Sequence, residues 1–367
     1  MRNKFLLVGM VLLGVVLLSA CTGGAIRGSS WPGLAADADT AYLANGSLIY
    51  AVNLKDGKEL WQFPGKASTK QVFYASPVIT SDGLVIVGSA GTDNSLIAIN
   101  PSDISPDTNS PVAAWTFSGA TDHWVASPLV VGDKLFAPNS DGNLYVLDLK
   151  DGKSQKQAVK VVELGGRLWA QPVTDGKYVF VTSLDHSVYA VDIETYAIVW
   201  HENVSAALPG SPAIGSDGML YVGSLASQLE KFDPATGKHE TAFTAQDWVW
   251  SAPVSDGDAL YFGDVSGNFY SFNTSTGQLN WSNKPDDAIT ASAILQNDHL
   301  LLATESGSFY AIGKDGSTLW FDTIGGQIYT MPVVANDMIL VAPMGADFQL
   351  TALNSDGRQV WTFTPGK

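Results

Sequence analysis

One cysteine and five histidines bound the thiol and metal chemistry open to this 367-residue chain. His123, His186, His201, His239 and His299 are scattered, with none of the short spacings that put two ligands on one zinc ion. The chain has no Gly-x-Ser-x-Gly elbow to raise a serine nucleophile and no glycine loop to cradle phosphate. Asp286 and Asp287 have the residue types for acid/base work on a glycoside, but adjacent loop carboxylates are ordinarily solvated. Asp82, Asp141, Asp217 and Asp356 each precede a glycine and read as turn formers. The most pointed set is aromatic. Tyr74, Trp124, Trp169, Trp248, Trp250 and Tyr329, with Asp122, His123, Arg167, Asp247 and Gln327 beside them, fall in short segments that each lead into a repeated Ser-Pro or its variant. Aromatic rings with polar neighbours are what protein and sugar recognition uses, and packing between repeats is their structural alternative.

The repeat that positions these segments runs along the whole chain. Its units open at Ser76-Pro77, Ser127-Pro128, Gln171-Pro172, Ser211-Pro212, Ala252-Pro253, Ser292-Ala293 and Met331-Pro332, and Trp31-Pro32 opens an earlier, shorter one. From Pro128 onward the steps are 44, 40, 41, 40 and 39 residues. Each unit holds a second apolar strand such as Leu84–Gly88, a tight turn such as Asp141-Gly142-Asn143, and a third, alternating strand. A phrase Ala-x-Asp/Asn, then Gly, then Trp closes the unit, as in Ala51, Asn53, Gly57, Trp61 and again in Ala352, Asn354, Gly357, Trp361. Asp or Asn caps such a turn and Gly accepts its positive φ. Four short strands per unit of about forty residues predict an all-β, eight-bladed β-propeller of four-stranded antiparallel blades, with seven blades as the alternative. Proline suits the first strand, which is an edge strand at the channel, and each Trp suits the wedge between blades. In units three and five Val162 and Phe243 stand near the Trp position, and 101–111 reads as an inserted surface loop. Five of the seven Ser-Pro segments then bring an aromatic to one funnel mouth around the channel. Ring closure has two solutions: the short first unit forms its own blade, or the N-terminal segment pairs with the last one.

The first residues follow other rules. Arg2 and Lys4 precede an apolar run from Phe5 to Leu18, and small residues lead to Cys21, so 1–20 reads as a signal peptide. Leu18-Ser19-Ala20-Cys21 resembles a lipobox, which implies a diacylglyceride and often a further acyl chain such as palmitate on Cys21. A lone thiol in an exported chain has no disulfide partner, which agrees. Residues 21–30 then form a lipidated flexible tether, and 31–367 the propeller. Thr22 is not the Asp that retains lipoproteins at the inner membrane of enteric bacteria. The expected address is the cell envelope, at the outer membrane or the outer face of the cytoplasmic membrane. Removal of 1–20 leaves 18 Lys and Arg against 36 Asp and Glu, a net charge of −18. Such a surface repels nucleic acid, so no nucleic-acid partner is expected, and membrane contact is expected through the anchor alone.

On its repeated Ala-x-Asp/Asn…Gly…Trp phrase the chain resembles the pyrroloquinoline-quinone (PQQ) repeat propellers over nearly all of residues 31–367. That family contains quinoprotein dehydrogenases and non-enzymatic members, among which lipoproteins of the outer-membrane β-barrel assembly machinery are most similar. The resemblance implies a monomeric interaction scaffold with envelope proteins as partners, the barrel-assembly machinery among them. Under the dehydrogenase reading PQQ and calcium would be the cofactors; otherwise none is expected. That reading lacks the vicinal disulfide of the alcohol dehydrogenases, since one cysteine cannot form it. A surface carbohydrate-binding propeller is the third reading.

Overall fold

The computed structural model describes residues 31–366. The signal-peptide, tether and Cys21 assignments lie outside the described residues. Thirty-two strands form eight four-stranded antiparallel sheets, each from four consecutive strands. Blade 1 comprises β1 (Gly33–Ala36), β2 (Thr40–Asn45), β3 (Leu48–Asn53) and β4 (Glu59–Phe63). Blades 2 to 8 span residues 78–117, 129–163, 173–203, 213–244, 254–283, 294–323 and 333–363. The predicted eight-bladed propeller is the observed fold, and seven blades is not. Among the described residues no helix is long and apolar enough to cross a membrane.

Burial follows from the radial stacking. In β3, Ile49 and Ala51 pack toward blade 2, while Tyr50 and Val52 pack toward blade 8. A middle strand covered on both faces must be apolar at every position, which is why the middle strands read as short continuous runs. The outermost strands have one covered face, and β4 accordingly alternates.

The recurring Trp stands opposite a small residue of the third strand, as in Ala51–Trp61, Ala190–Trp200 and Ala352–Trp361. The indole then lies over the turn glycine of the next blade. A Cβ on Gly237 or Gly316 would sit 2.8 Å from carbons of Trp200 or Trp281, and one on Gly57 2.7 Å from Trp361. Those glycines also hold positive φ, so the position requires glycine twice over. The indole Nε1 completes the contact, donating to the carbonyl of Pro234, Lys314 or Leu54 at 2.9, 2.7 and 2.8 Å. In blades 3 and 5 the strand register corrects the sequence reading. Lys160, opposite Val146, and Glu240, opposite Lys231 by register, fill the Trp position, not Val162 or Phe243. The Trp blades carry the same bulge beside this position, as at Ala51/Val52 and Ala190/Val191, so the register is read by strand pairing in every blade. Glu240 does not cover its neighbour as a Trp would: no atom reaches within 4 Å of a Cβ on Gly277, the turn glycine of blade 6.

Two further expectations change. Residues 101–111 are not a loop: blade 2 extends its outer hairpin as Leu96–Ser105 and Ser110–Phe117, with Ile104 paired to Pro111. The Ser110 hydroxyl donates to the Gln62 carbonyl at 2.5 Å and anchors the hairpin on blade 1. The N-terminal segment does not pair with the last blade either. β1 hydrogen-bonds to β2, and blades 8 and 1 meet through side chains: Thr330 donates to the Pro32 carbonyl, and Tyr50 meets Phe363 edge-on at 5.5 Å.

Blade 5 also carries a buried carboxyl. Glu230 is 3% exposed, at the register position held by Tyr50, Tyr145, Tyr189, Tyr270 and Tyr310 in other blades. Burial pushes its pKa up, and the 3.1 Å hydrogen bond from Thr241 only partly opposes this. A carboxyl raised in the fold weakens stability once pH passes its unfolded value of about 4.3. Glu230→Gln is therefore expected to leave the urea midpoint nearly unchanged near pH 4 and to raise it near pH 7.

Candidate functional site

Each segment entering an inner strand is extended, so its side chains alternate between settings. Counted in register, one position per blade faces the channel: Trp31, Tyr74, Val125, Trp169, Pro209, Trp250, Thr290 and Tyr329. The residue before it is buried within the blades, as Phe73, Trp124, Leu168, Leu208, Val249, Ile289 and Ile328, each at most 1% exposed. The residue before that stands at the rim. His123, Arg167, Trp248 and Gln327 are exposed there, and Trp248 is 47% exposed. Backbone hydrogen bonds fix the arrangement. The rim carbonyls of His123, Arg167, Trp248 and Gln327 accept from Ser140, Leu184, Val265 and Met344 in the adjacent turns at 2.7 to 3.1 Å.

This register sorts the sequence candidates. Tyr74, Trp169, Trp250 and Tyr329 line the channel. Trp124 does not, which corrects its place in the funnel mouth. It is 1% exposed, packs on Phe117 and Tyr145, and donates its Nε1 to the Asn94 carbonyl at 2.8 Å. Gly88 makes that seat, since a Cβ there would lie 2.2 Å from the Trp124 Cβ. Val125 takes the channel position instead. Trp248, His123, Arg167 and Gln327 form the rim, outside the throat. Asp122 and Asp247 support it: the His123 ring and backbone N–H hold the Asp122 carboxyl below its usual range, and Asp247 accepts from the Trp248 N–H at 2.8 Å. Asp286 is a turn lock. It accepts from Thr304, Ser306 and Ser308, hydroxyls that outweigh the upward push of burial and hold its pKa low.

Sequence reasoning missed several residues of the mouth, three of them aromatic or polar. Trp31 stacks at a tilt on Tyr74, ring centroids 5.5 Å apart, and its signal was the Trp-Pro that opens the first unit. Thr290 occupies the channel position of blade 7, and Glu305 reaches the same cavity from a neighbouring turn. The channel holds a cavity of about 630 Å³ lined by apolar, hydroxyl and amide side chains. An adjoining cavity of about 460 Å³ at the mouth adds Glu305 and Met344. Among the described residues no Lys or Arg lines either, and Glu305 is the one carboxylate in their walls. Calcium takes six to eight oxygen ligands, usually with several carboxylates, and a tricarboxylate quinone needs cationic partners. These walls do not fit that pair. Among the described residues no cluster of three His, Cys, Asp or Glu is placed to hold a metal ion.

Eight radial blades of this repeat, closed by Trp-on-Gly seams around an aromatic throat, define a PQQ-type repeat propeller. More particularly, the chain belongs to the family of the outer membrane protein assembly factor BamB, whose family model matches residues 14–239, 184–294 and 287–366. Among solved structures, BamB from Moraxella catarrhalis is similar at 21% identity with a TM-score of 0.67, over 88% of this chain and 93% of that one. The computationally designed Ika8 protein is similar at 15% identity and the same TM-score of 0.67, over 91% of this chain and 96% of its own. At these identities the likeness is one of fold. A comparison with curated proteins finds no match.

Proposed function

We propose that this protein is a non-catalytic, lipid-anchored scaffold at the cell envelope that grips partner proteins with its rim. In a host with an outer membrane, its role is the assembly of outer-membrane proteins. The family match supports this reading, and the rim is the observation that carries it. Trp248, Arg167, His123 and Gln327 sit on one face, held by the same backbone hydrogen bond in four blades. Trp and Arg are enriched at interface hot spots, and here an exposed Trp and an exposed Arg share one rim with His and Gln.

Trp31 begins the described chain at the mouth of the channel. With Cys21 as the lipidated residue, the ten residues to Trp31 span at most about 35 Å. The rim face therefore works close to the membrane, and its partners are membrane proteins or their near domains. Cys21→Ser is expected to move the protein from the membrane pellet to the soluble fraction, with its circular dichroism unchanged. Co-purification from envelope extracts tests the partner: the wild type should bring down barrel-assembly components. Trp248→Ala with Arg167→Glu should lose them while melting normally. Their reproducible absence from the wild-type eluate would remove the assembly role.

A further inference from the structure

The mouth of the throat holds a charge that the scaffold reading does not use. Glu305 is half-buried there, beside Trp31, Trp250, Tyr329 and Met344. The fold itself does not call for an acid at this place. The Glu305 N–H donates to the Ala288 carbonyl at 2.9 Å, and Leu184, Leu225 and Val265 make the same bond in blades 4, 5 and 6 at 3.0 Å. Those three blades close the turn with an apolar side chain. Among the described residues Glu305 enters no ion pair, and no Lys or Arg stands in the cavity walls. Burial first, then Glu305 and then Asp287, push the Tyr329 hydroxyl above its ordinary pKa, so two carboxylates bear on one point of the mouth. A carboxylate drawn partly out of water is normally matched by an opposite charge, and here the protein supplies none.

We propose that this mouth binds a small quaternary ammonium ion, with its charge beside Glu305 and its methyl groups against the surrounding rings. The unmatched charge makes the choice. An anion would meet Glu305 with no Lys or Arg in the wall, on a protein of net charge −16. A neutral ligand would take water from the carboxylate and return no charge to it. A sugar has a further difficulty. Two polar atoms of the lining residues, the Trp169 Nε1 and the Thr290 Oγ1, are buried inside the protein and not open to the cavity, which leaves fewer partners for its hydroxyls. A metal ion needs several oxygen ligands, and no cluster of three His, Cys, Asp or Glu stands among the described residues. Among organic cations, a primary ammonium brings three N–H donors and a guanidinium five, against one carboxylate in the walls. A quaternary ammonium brings none. It needs a negative potential and aromatic rings, and the mouth has both. The cavity of about 460 Å³ falls in the size range of small-molecule sites, roughly 300–1,000 Å³.

The test is calorimetric titration and tryptophan fluorescence of the full mature protein with choline, in a maltoside detergent that carries no ammonium group. Two probes separate charge from shape. Dimethylbutanol is choline with carbon in place of the charged nitrogen, and ethanolamine keeps the charge without the methyl groups. Choline is expected to bind saturably, and each probe about tenfold more weakly. Glu305→Gln should weaken choline binding about tenfold and leave dimethylbutanol binding as it was. Trp250→Leu, which removes one ring and no charge, should weaken choline binding similarly and serves if Glu305→Gln melts early. The proposal is overturned if choline does not bind at about 10 mM, if dimethylbutanol or ethanolamine binds as tightly as choline, or if either variant, once shown to be folded, binds choline as the wild type does.

Discussion

Trp361→Ala is expected to lower the unfolding free energy by about 3–5 kcal/mol, the range for deleting a large buried aromatic. Trp361 is 9% exposed, lies over Gly57 and donates to the Leu54 carbonyl, 307 residues away in sequence. What raises its importance above that of the other wedge tryptophans is the way the ring closes. The first four strands make blade 1 and the last four make blade 8, so no backbone ladder ties the chain ends together. The seam consists of this indole, the Thr330–Pro32 hydrogen bond, the Tyr50–Phe363 contact and the apolar cluster around them. Trp281→Ala is the internal control. The same contact there joins blades 6 and 7, which the chain already connects, and its indole is more exposed. A smaller loss is expected for it. Contacts that span the whole chain carry the greatest loop-closure cost and form late. Trp361→Ala should therefore speed unfolding far more than it slows folding. Urea chevrons on both variants check this, and equal losses would mean that the closing seam is no more critical than an internal one.

Much of this architecture is written in local residue choices. Ser-Pro phasing marks the inner strands, and a Trp opposite a small residue marks the outer seam in six of the eight blades, because both suit geometry that repeats around the ring. The site was legible to the same degree. Tyr74 and Trp169 stand two residues before Ser76 and Gln171, whereas Trp124 stands three before Ser127. A difference of one residue moves a side chain to the other face of an extended segment, so counting from the Ser position separates the buried Trp124 from the channel-facing Val125. What could not be read was the polar part of the throat. Thr290 carries no aromatic to flag it, and Glu305 joins it from a turn that only the fold brings to the mouth. The identity of the residues at the wedge position in blades 3 and 5 was hidden for another reason: with no Trp to mark it, the position is found only from strand pairing.

Asp264 is the polar counterpart of the tryptophan seams, and Asp264→Ala should cost about 3 kcal/mol near pH 7, since hydrogen bonds to a buried charge are worth about 1.5–3 kcal/mol each. Its carboxylate is fully buried and accepts from the Tyr270 hydroxyl at 2.7 Å, the Asn268 and Ser266 backbone N–H groups at 3.0 Å, and both of their side chains. Burial alone would push this acid up, but the donors outweigh it and hold its pKa below the ordinary value. The sign of the pH dependence follows. A depressed carboxylate contributes stability that is present above its unfolded pKa of about 3.9 and is lost as pH falls through the folded value. The gap between wild type and Asp264→Ala should therefore be widest near pH 7 and narrow steadily below about pH 4. Glu230 runs the opposite way, because its carboxyl has a single hydroxyl donor where Asp264 has several. Acid unfolding of this propeller thus reflects a contest in which well-donated turn aspartates lose their contribution while Glu230 is relieved of its penalty. A gap for Asp264→Ala that stays constant from about pH 7 to pH 3 would show that a neutral acid holds this turn as well as the carboxylate does.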